Sequence, residues 1–304
     1  MRLGVDLGGT KIEIIALDDA GAVLARERVA TPKSDYDATI AAIAGLVRAT
    51  EAKLGARGSV GIAIPGTISA ATGLVKNANS TRLIGHPLDK DLAAKLEREV
   101  RVANDANCFA LSEATDGAAA GKDVVFGIIA GTGVGGGVCV GGRVLAGAHG
   151  IAGEWGHNPL PHPRADELPG PTCYCGRSGC IEAWCSGPSI ARAFLKTTGR
   201  ALDAAGIAAA AANGDDAAVR AMDDFLDRFA RAIATIVNIL DPDAIVIGGG
   251  LSKIDALYAE LPARVEHYAF SPQGPSLIVQ NRHGDSSGVR GAAWLWPEEK
   301  VHIA

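Results

Sequence analysis

The chain has 304 residues, of which 48% are hydrophobic and 21% charged, and its formal net charge is −5. This length suggests two domains or one large domain with a substantial core, and the acidic balance excludes a basic patch for nucleic acid. No apolar run reaches the ~18 residues of a membrane span, and the opening residues have the pattern of a strand rather than a signal peptide. We therefore expect a cytoplasmic protein that binds neither nucleic acid nor membrane.

The first part of the chain predicts an antiparallel meander followed by alternating helices and strands. Strands are expected over residues 3–7, 12–17 and 22–29, because short apolar runs are separated there by glycine-containing turns. Ser34-Asp35-Tyr36-Asp37 resembles a capping box that opens an amphipathic helix. The elements expected next are a buried strand over 59–64, a helix over 89–100, a strand over 101–103 and a helix over 105–114.

The same order of elements then recurs. A strand over 124–130, the turn Gly131-Thr132-Gly133 and strands over 137–140 and 143–146 repeat the opening pattern. This weak self-similarity predicts two related α/β halves with a cleft between them. The elements expected after the repeat are a long helix over 216–240, a buried strand over 244–247, a helix from Asp255 and a last helix over 289–296.

Three glycine-rich turns each follow a predicted strand. Without side chains, the backbone N–H groups of such turns can approach phosphate oxygens. Gly8-Gly9-Thr10-Lys11 adds a hydroxyl and a cation, Gly131-Thr132-Gly133 adds a hydroxyl, and Gly248-Gly249-Gly250 offers bare backbone. Any one of them could be only a tight turn, but three in two related halves favour a nucleotide. Residues 131–136 also satisfy G-x-G-x-x-G, yet a strand pattern follows where a dinucleotide-binding helix should begin.

A cysteine-rich segment has the composition of a metal site. Cys173, Cys175 and Cys180 lie within eight residues, and His157 precedes them. Three cysteines and one histidine are enough to close a tetrahedral zinc site with no open position, which indicates a structural metal. A disulfide and inert buried thiols are the alternatives, although a reducing compartment disfavours the disulfide.

Asn104-Asp105-Ala106-Asn107 lies between a predicted strand and a predicted helix. A carboxylate at that junction is either a helix cap or a catalytic base, and spacing alone leaves both open. As a cap it would accept backbone N–H bonds, which lower its pKa. A base in phosphoryl transfer tolerates this, because its main task is to orient the hydroxyl.

Taken together, the motifs resemble the ROK family of sugar kinases, which is built on the actin-like ATPase (ribonuclease H-like) fold. The segments that carry the resemblance are Asp6-Leu7-Gly8-Gly9-Thr10-Lys11, Asn104-Asp105-Ala106-Asn107, Gly131-Thr132-Gly133, Glu154-Trp155-Gly156-His157, the segment from Cys173 to Glu182, and Gly248-Gly249-Gly250. The resemblance implies a duplicated α/β fold with two domains and a central cleft. It places an N-terminal domain at 1–117, with a helix over 289–304 packing back on it, and a larger domain carrying the zinc motif at 118–288.

The resemblance also implies the roles of individual residues. Asp105 would be the base that takes the proton from the 6-hydroxyl of a hexose, and Asp6 would orient Mg²⁺ through water. Other sugar hydroxyls would be bound by Asn79, Asn104, Glu154, His157 and Glu182. The phosphates of ATP would be held by Gly8, Gly9, Thr10, Lys11, Gly131, Thr132 and Gly133, and Gly248 and Gly249 would face the adenosine. Structural Zn²⁺ would be bound by His157, Cys173, Cys175 and Cys180.

Three segments narrow the expected substrate. Lys76-Asn77-Ala78-Asn79-Ser80-Thr81, residues 154–161 and residues 283–291 look most like the bacterial fructokinases of this family, including the manno(fructo)kinase type. This resemblance predicts fructose as substrate and a homodimer as assembly. Mannose, glucose and N-acetylglucosamine are the alternative hexoses. A sugar-sensing regulator without turnover is the alternative from another functional class, and a chain that starts directly at the first strand disfavours it.

Overall fold

The computed structural model describes residues 1–32, 35–78, 80–270 and 277–296, and it has a mixed α/β architecture. The strands are β1 (Arg2–Leu7), β2 (Lys11–Leu17), β3 (Val23–Ala30), β4 (Ser59–Ile64), β5 (Thr67–Ile68), β6 (Val75–Lys76), β7 (Val100–Asn104), β8 (Val124–Ala130), β9 (Val134–Val140), β10 (Arg143–Val144), β11 (Ala244–Gly248) and β12 (Ile278–Gln280). The helices are α1 (Tyr36–Leu54), α2 (Leu88–Leu96), α3 (Asp105–Thr115), α4 (Ile181–Cys185), α5 (Gly187–Thr198), α6 (Ala204–Ala212), α7 (Asp216–Leu240), α8 (Ala256–Tyr268) and α9 (Ser287–Ala293).

Two five-stranded sheets have the same topology. Their strand orders are β3-β2-β1-β4-β7 and β10-β9-β8-β11-β12. In each sheet the first three strands along the chain form an antiparallel meander, and the next two run parallel to the first strand. The predicted duplication is therefore confirmed. No helix in the described ranges is long and apolar enough to cross a membrane.

Several element boundaries differ from the sequence prediction. The N-cap of α1 is Asp35, whose carboxylate accepts a hydrogen bond from the backbone N–H of Ala38 at 2.6 Å; Ser34 lies outside the described residues. Helix α2 ends four residues earlier than predicted because Glu97 takes a left-handed conformation with φ 54°. Strand β9 begins at Val134 rather than at 137, since its glycines still pair with β8 through the backbone.

Helix α9 packs directly on the first sheet and on α3. A Cβ atom at Gly61 of β4 would lie 1.8 Å from the carbonyl oxygen of Ala292, and one at Gly4 of β1 would lie 2.0 Å from that of Val289. The two glycines thus let the helix backbone rest on the strands. The helix predicted over 289–304 is wrong in its bounds, because α9 ends at Ala293 and residues 297–304 lie outside the described part.

Alanine substitutions at a closely packed glycine and at an exposed helical glycine should have opposite effects on stability. We expect Gly61→Ala to lower the free energy of unfolding by about 3 kcal/mol, because backbone atoms of α9 cannot move away as a side chain would. Gly45, on the exposed face of α1, has none of the described residues within 4 Å of the position that a Cβ atom would take. Gly45→Ala should therefore stabilise the protein by about 1 kcal/mol through helix propensity. Urea unfolding measures both, and equal midpoints for the two variants would contradict the close packing at Gly61.

The sheets and α3 bring the glycine-rich turns together. Helix α3 begins directly after β7 of the first sheet and packs on β8 and β9 of the second. The turn after β1 and the start of α3 therefore lie near the end of β11. The division of the chain into domains at residue 117 stays a prediction.

Candidate active site

A cleft of about 450 Å³ lies between the two sheets. Its lining contains five residues that the sequence predicted for the site, namely Asp6, Gly8, Gly9, Asp105 and Gly249. It also contains residues that the sequence reasoning did not assign to the site: Ser80, Gly284, Asp285, Ser287 and Gly288. The last four belong to the segment before and within α9. The glycines and polar residues of that segment suggested that it could contribute to a site. Only the tertiary fold shows that the segment faces Asp6.

Asn104 caps α3, and this leaves the carboxylate of Asp105 available. The Asn104 side-chain oxygen accepts hydrogen bonds from the backbone N–H groups of Ala106 at 2.9 Å and Asn107 at 3.3 Å. Its amide nitrogen donates to the carbonyl oxygen of Gly66 at 3.2 Å. Asp105 is instead the first helical residue. The interpretation of Asp105 as the cap is therefore wrong, because the preceding residue already performs that function.

The pKa of Asp105 is raised above its ordinary value, mainly because burial disfavours the charged form. The negative charge of Glu154 raises it further. The backbone N–H of Ala106, which donates to Asp105 Oδ1 at 2.8 Å, lowers it but does not outweigh burial. The direction is opposite to the lowering expected for a cap, and it makes the carboxylate a better proton acceptor.

Asp6, at the end of β1, has its pKa raised from 3.8 to about 6. Burial is the largest cause, followed by the negative charges of Asp105 and Glu13, while Lys11 opposes them. Glu13 itself is paired with Arg26 at 2.5 Å and with Arg28 at 2.7 Å. A partly buried carboxylate in an acidic cleft, close to exposed turns, fits a hard divalent cation such as Mg²⁺ bound through water.

The raised pKa of Asp6 predicts a pH-dependent effect on stability. Folded Asp6 binds its proton more tightly than an unfolded Asp with the ordinary pKa of 3.8, so the ionised carboxylate opposes folding above pH 6, and this penalty disappears as the pH falls toward 4. Asp6→Asn should raise the free energy of unfolding at pH 8, by at most about 3 kcal/mol. Most of that gain should vanish at pH 4.5. Urea unfolding without Mg²⁺ tests this, and a pH-independent difference would contradict it.

The glycine-rich turns have the close backbone contacts that a side chain would prevent. Gly249 has φ +82°, and a Cβ atom there would lie 2.5 Å from the carbonyl oxygen of Ala130. The turn after β8 is closed by a hydrogen bond from Gly131 N–H to the Gly133 carbonyl at 2.9 Å. The side chains of Thr10, Lys11 and Thr132 are exposed at these turns and are free to meet phosphate oxygens.

The four predicted zinc ligands converge. One ligand atom from each of His157, Cys173, Cys175 and Cys180 lies within 4.8 Å of the others. The Cys173 Sγ–His157 Nδ1 and Cys175 Sγ–Cys180 Sγ distances are both 3.6 Å, close to the edge of about 3.8 Å expected for tetrahedral zinc with 2.3 Å Zn–S bonds. The residues therefore fit zinc. The disulfide alternative is wrong, because all six cysteines are free and a disulfide needs sulfurs about 2 Å apart.

Three of the predicted sugar-binding residues, Glu154, His157 and Glu182, belong to or adjoin the segments of this cluster. The other ring nitrogen of His157, Nε2, lies 3.0 Å from the hydroxyl of Tyr174. Glu154 is close enough to Asp105 for its charge to act on that carboxyl. Glu182 lies on α4 and accepts a hydrogen bond from the backbone N–H of Val134 at 2.8 Å. Asn79 lies outside the described residues.

Comparison with known proteins identifies the family. The model of the ROK family matches residues 2–299, so the chain belongs to the ROK family. It is 42% identical over 299 residues to N-acetyl-D-glucosamine kinase of Photobacterium profundum, covering 97% of this chain and 99% of that protein. This similarity corrects the narrower resemblance to fructokinases, because it favours the alternative hexose over fructose.

Solved structures support the same fold. The crystal structure of ROK hexokinase from Thermus thermophilus matches with a TM-score of 0.85 and 31% identity, covering 97% of both chains. A ROK family glucokinase from Streptomyces griseus, in complex with glucose and AMPPNP, matches with a TM-score of 0.74 and 27% identity, covering 96% of this chain and 97% of that one. The predicted actin-like ATPase fold is confirmed.

Proposed function

We propose that this ROK-family chain is an ATP-dependent sugar kinase that transfers the γ-phosphoryl group of ATP to the 6-hydroxyl of N-acetyl-D-glucosamine. The observation that carries the proposal is the position of Asp105, a carboxylate with a raised pKa that is not used as a cap and lies in the cleft between the glycine-rich turns and Glu154. The 42% identity to an N-acetyl-D-glucosamine kinase over nearly the whole chain supports the choice of sugar.

In the proposed reaction Asp105 orients the sugar hydroxyl and accepts its proton as the oxygen attacks the γ-phosphorus, and the bond between that phosphorus and the β–γ bridging oxygen breaks to release ADP. Phosphoryl transfer depends mainly on positioning and on stabilising the charge of the transferred group. The backbone of Gly8, Gly9 and Gly131-Thr132-Gly133, together with Lys11, would hold the phosphates. When bound near Asp6, Mg²⁺ supplies further positive charge there. Transfer to sugar rather than to water requires that water be excluded from the cleft.

The proposed sugar site consists of residues at the start of α3 and in the segments that carry the cysteine cluster. Asn104, Glu154, His157 and Glu182 offer both donors and acceptors, which suit the hydroxyls of a neutral sugar. Asn79 is proposed as a further ligand from the sequence alone. These groups include no arginine that could pair with a phosphate or carboxylate already on the substrate, so sugar phosphates and sugar acids should be poor substrates. We also expect a homodimer.

A panel of sugars tests the proposal. Fructose, mannose, glucose and N-acetylglucosamine are each supplied at limiting concentration with saturating Mg·ATP in a coupled ADP assay. We expect N-acetylglucosamine to give the highest kcat/KM, by at least about tenfold, because a site built to hydrogen-bond a substrate group rejects analogues that lack it. If fructose turned over fastest, the sugar assignment would fail and the kinase assignment would remain. Turnover of none of them would favour the sugar-sensing alternative.

A further inference from the structure

The turn Gly131-Thr132-Gly133, here called the phosphate turn, is held by the same short segment that carries a proposed sugar ligand. Glu182 Oε2 accepts the backbone N–H of Val134, directly after the turn, at 2.8 Å. The backbone N–H of Gly187 donates to the carbonyl oxygen of Gly131 at 2.8 Å. Residues 182–187 therefore hold both ends of the phosphate turn.

The carboxylate lies so close to the phosphate turn that a side chain at Gly133 would have to displace it. A Cβ atom there would lie 2.5 Å from Glu182 Oε2. Two residues on, Gly135 has room, since the nearest atom to its Cβ position is 4.0 Å away. Gly133 therefore differs from Gly135, because a side chain at Gly133 would displace the Glu182 carboxylate.

The other carboxylate oxygen of Glu182 is available to a ligand. Among the described residues, Oε2 forms the hydrogen bond of this side chain and Oε1 has no protein partner. The side chain is partly exposed, and its charge reaches Tyr174, which also feels the charge of Glu154. One carboxylate can therefore fix the phosphate turn with one oxygen and accept a sugar hydroxyl with the other.

We infer that Glu182 is a positioning residue for the phosphate turn and that sugar and nucleotide binding are coupled through its carboxylate. The inference rests on the proposed kinase function. A sugar hydroxyl bound at Oε1 restricts the carboxylate, and the restricted carboxylate holds the Val134 N–H in place. Because coupling between two ligands is reciprocal, a change on either side of this contact alters binding on the other side.

The first test measures nucleotide affinity in the absence of sugar. By titration calorimetry with Mg·AMPPNP, we expect Glu182→Ala to weaken binding roughly tenfold, the usual cost of losing a hydrogen bond to a charged group. Glu182→Gln keeps an oxygen that can accept the Val134 N–H and should stay within about threefold of wild type. The matched control is Glu260→Ala, which removes an exposed helical carboxylate that pairs with Arg264 and lies outside the cleft lining, and it should leave nucleotide affinity unchanged.

The second test reaches the same contact from the turn. In the absence of nucleotide, Gly133→Ala should weaken N-acetylglucosamine binding by about fivefold or more, because its methyl group displaces the Glu182 carboxylate. Gly135→Ala should retain wild-type sugar affinity. If thermal melting shows that Glu182→Ala does not fold, Gly133→Ala still tests the inference. Wild-type nucleotide affinity in Glu182→Ala, or wild-type sugar affinity in Gly133→Ala, would overturn the inference. A wild-type protein that binds neither ligand would instead refute the proposed function.

Discussion

Asp105→Asn is expected to lower kcat by about a thousandfold while sugar affinity changes by less than about threefold. The amide keeps the shape of the carboxylate but cannot accept a proton, and general bases usually supply ~10²–10⁴-fold. Since Asn104 caps α3, the substitution should leave the helix formed, and loss of a buried carboxylate with a raised pKa should not destabilise the protein. Rapid-quench kinetics and calorimetry with the sugar measure kcat and affinity separately.

Asp216→Asn is the matched control for this substitution. Asp216 is also the first residue of a helix that a preceding residue caps, because Asp215 accepts the backbone N–H groups of Ala217 and Ala218. Asp216 is exposed and is not among the residues that line the cleft, so the kcat of Asp216→Asn should equal that of wild type. If Asp105→Asn kept more than about a tenth of wild-type kcat, Asp105 would not be the base.

Loss of the proposed zinc is expected to weaken sugar binding strongly. Zinc binding contributes about 10–16 kcal/mol of apparent free energy in small structural sites, and here it would hold His157 and the segment that leads into Glu182. We expect about one zinc per chain in protein purified without chelator, and almost none in Cys175→Ser. That variant should bind N-acetylglucosamine at least about tenfold more weakly. Elemental analysis and calorimetry provide the two measurements.

Cys139→Ala serves as the control for zinc loss. Cys139 is buried in β9, away from the four converging ligands, so its removal should leave the zinc content at wild-type level. Wild-type protein without zinc, or Cys175→Ser with normal sugar affinity, would argue that the cluster is only a group of reduced thiols.

Local patterns predicted those parts of the fold that depend on local sequence. The apolar stripe of α7 predicted its bounds at Asp216–Leu240, and the repeated turn glycines revealed the duplication that the two sheets share. The cap of α3 could not be assigned in this way, because Asn104 and Asp105 are neighbouring residues of equally suitable type. Only the backbone geometry shows that Asn104 performs the capping.

Contacts between distant segments were beyond the reach of sequence patterns. Nothing local to residues 284–288 indicates that they face Asp6 across the cleft. Similarly, the hydrogen bond between Glu182 and Val134 joins residues 48 positions apart. The choice between hexoses was beyond the sequence patterns for a related reason, since it depends on the shape of a pocket assembled from several segments. A short motif resembling one branch of a family does not determine that shape.

Phosphorus NMR of the reaction product shows both whether the sugar is phosphorylated and at which hydroxyl. The protein is incubated with Mg·ATP and N-acetylglucosamine, and the product spectrum is recorded with proton coupling. We expect equal amounts of ADP and a sugar monophosphate whose phosphorus couples to the two protons on C6. Asp105→Asn should give neither product above about a hundredth of the wild-type rate. A phosphorus coupled to the anomeric proton, or ADP with free inorganic phosphate and no sugar phosphate, would contradict transfer to the 6-hydroxyl with Asp105 as the base.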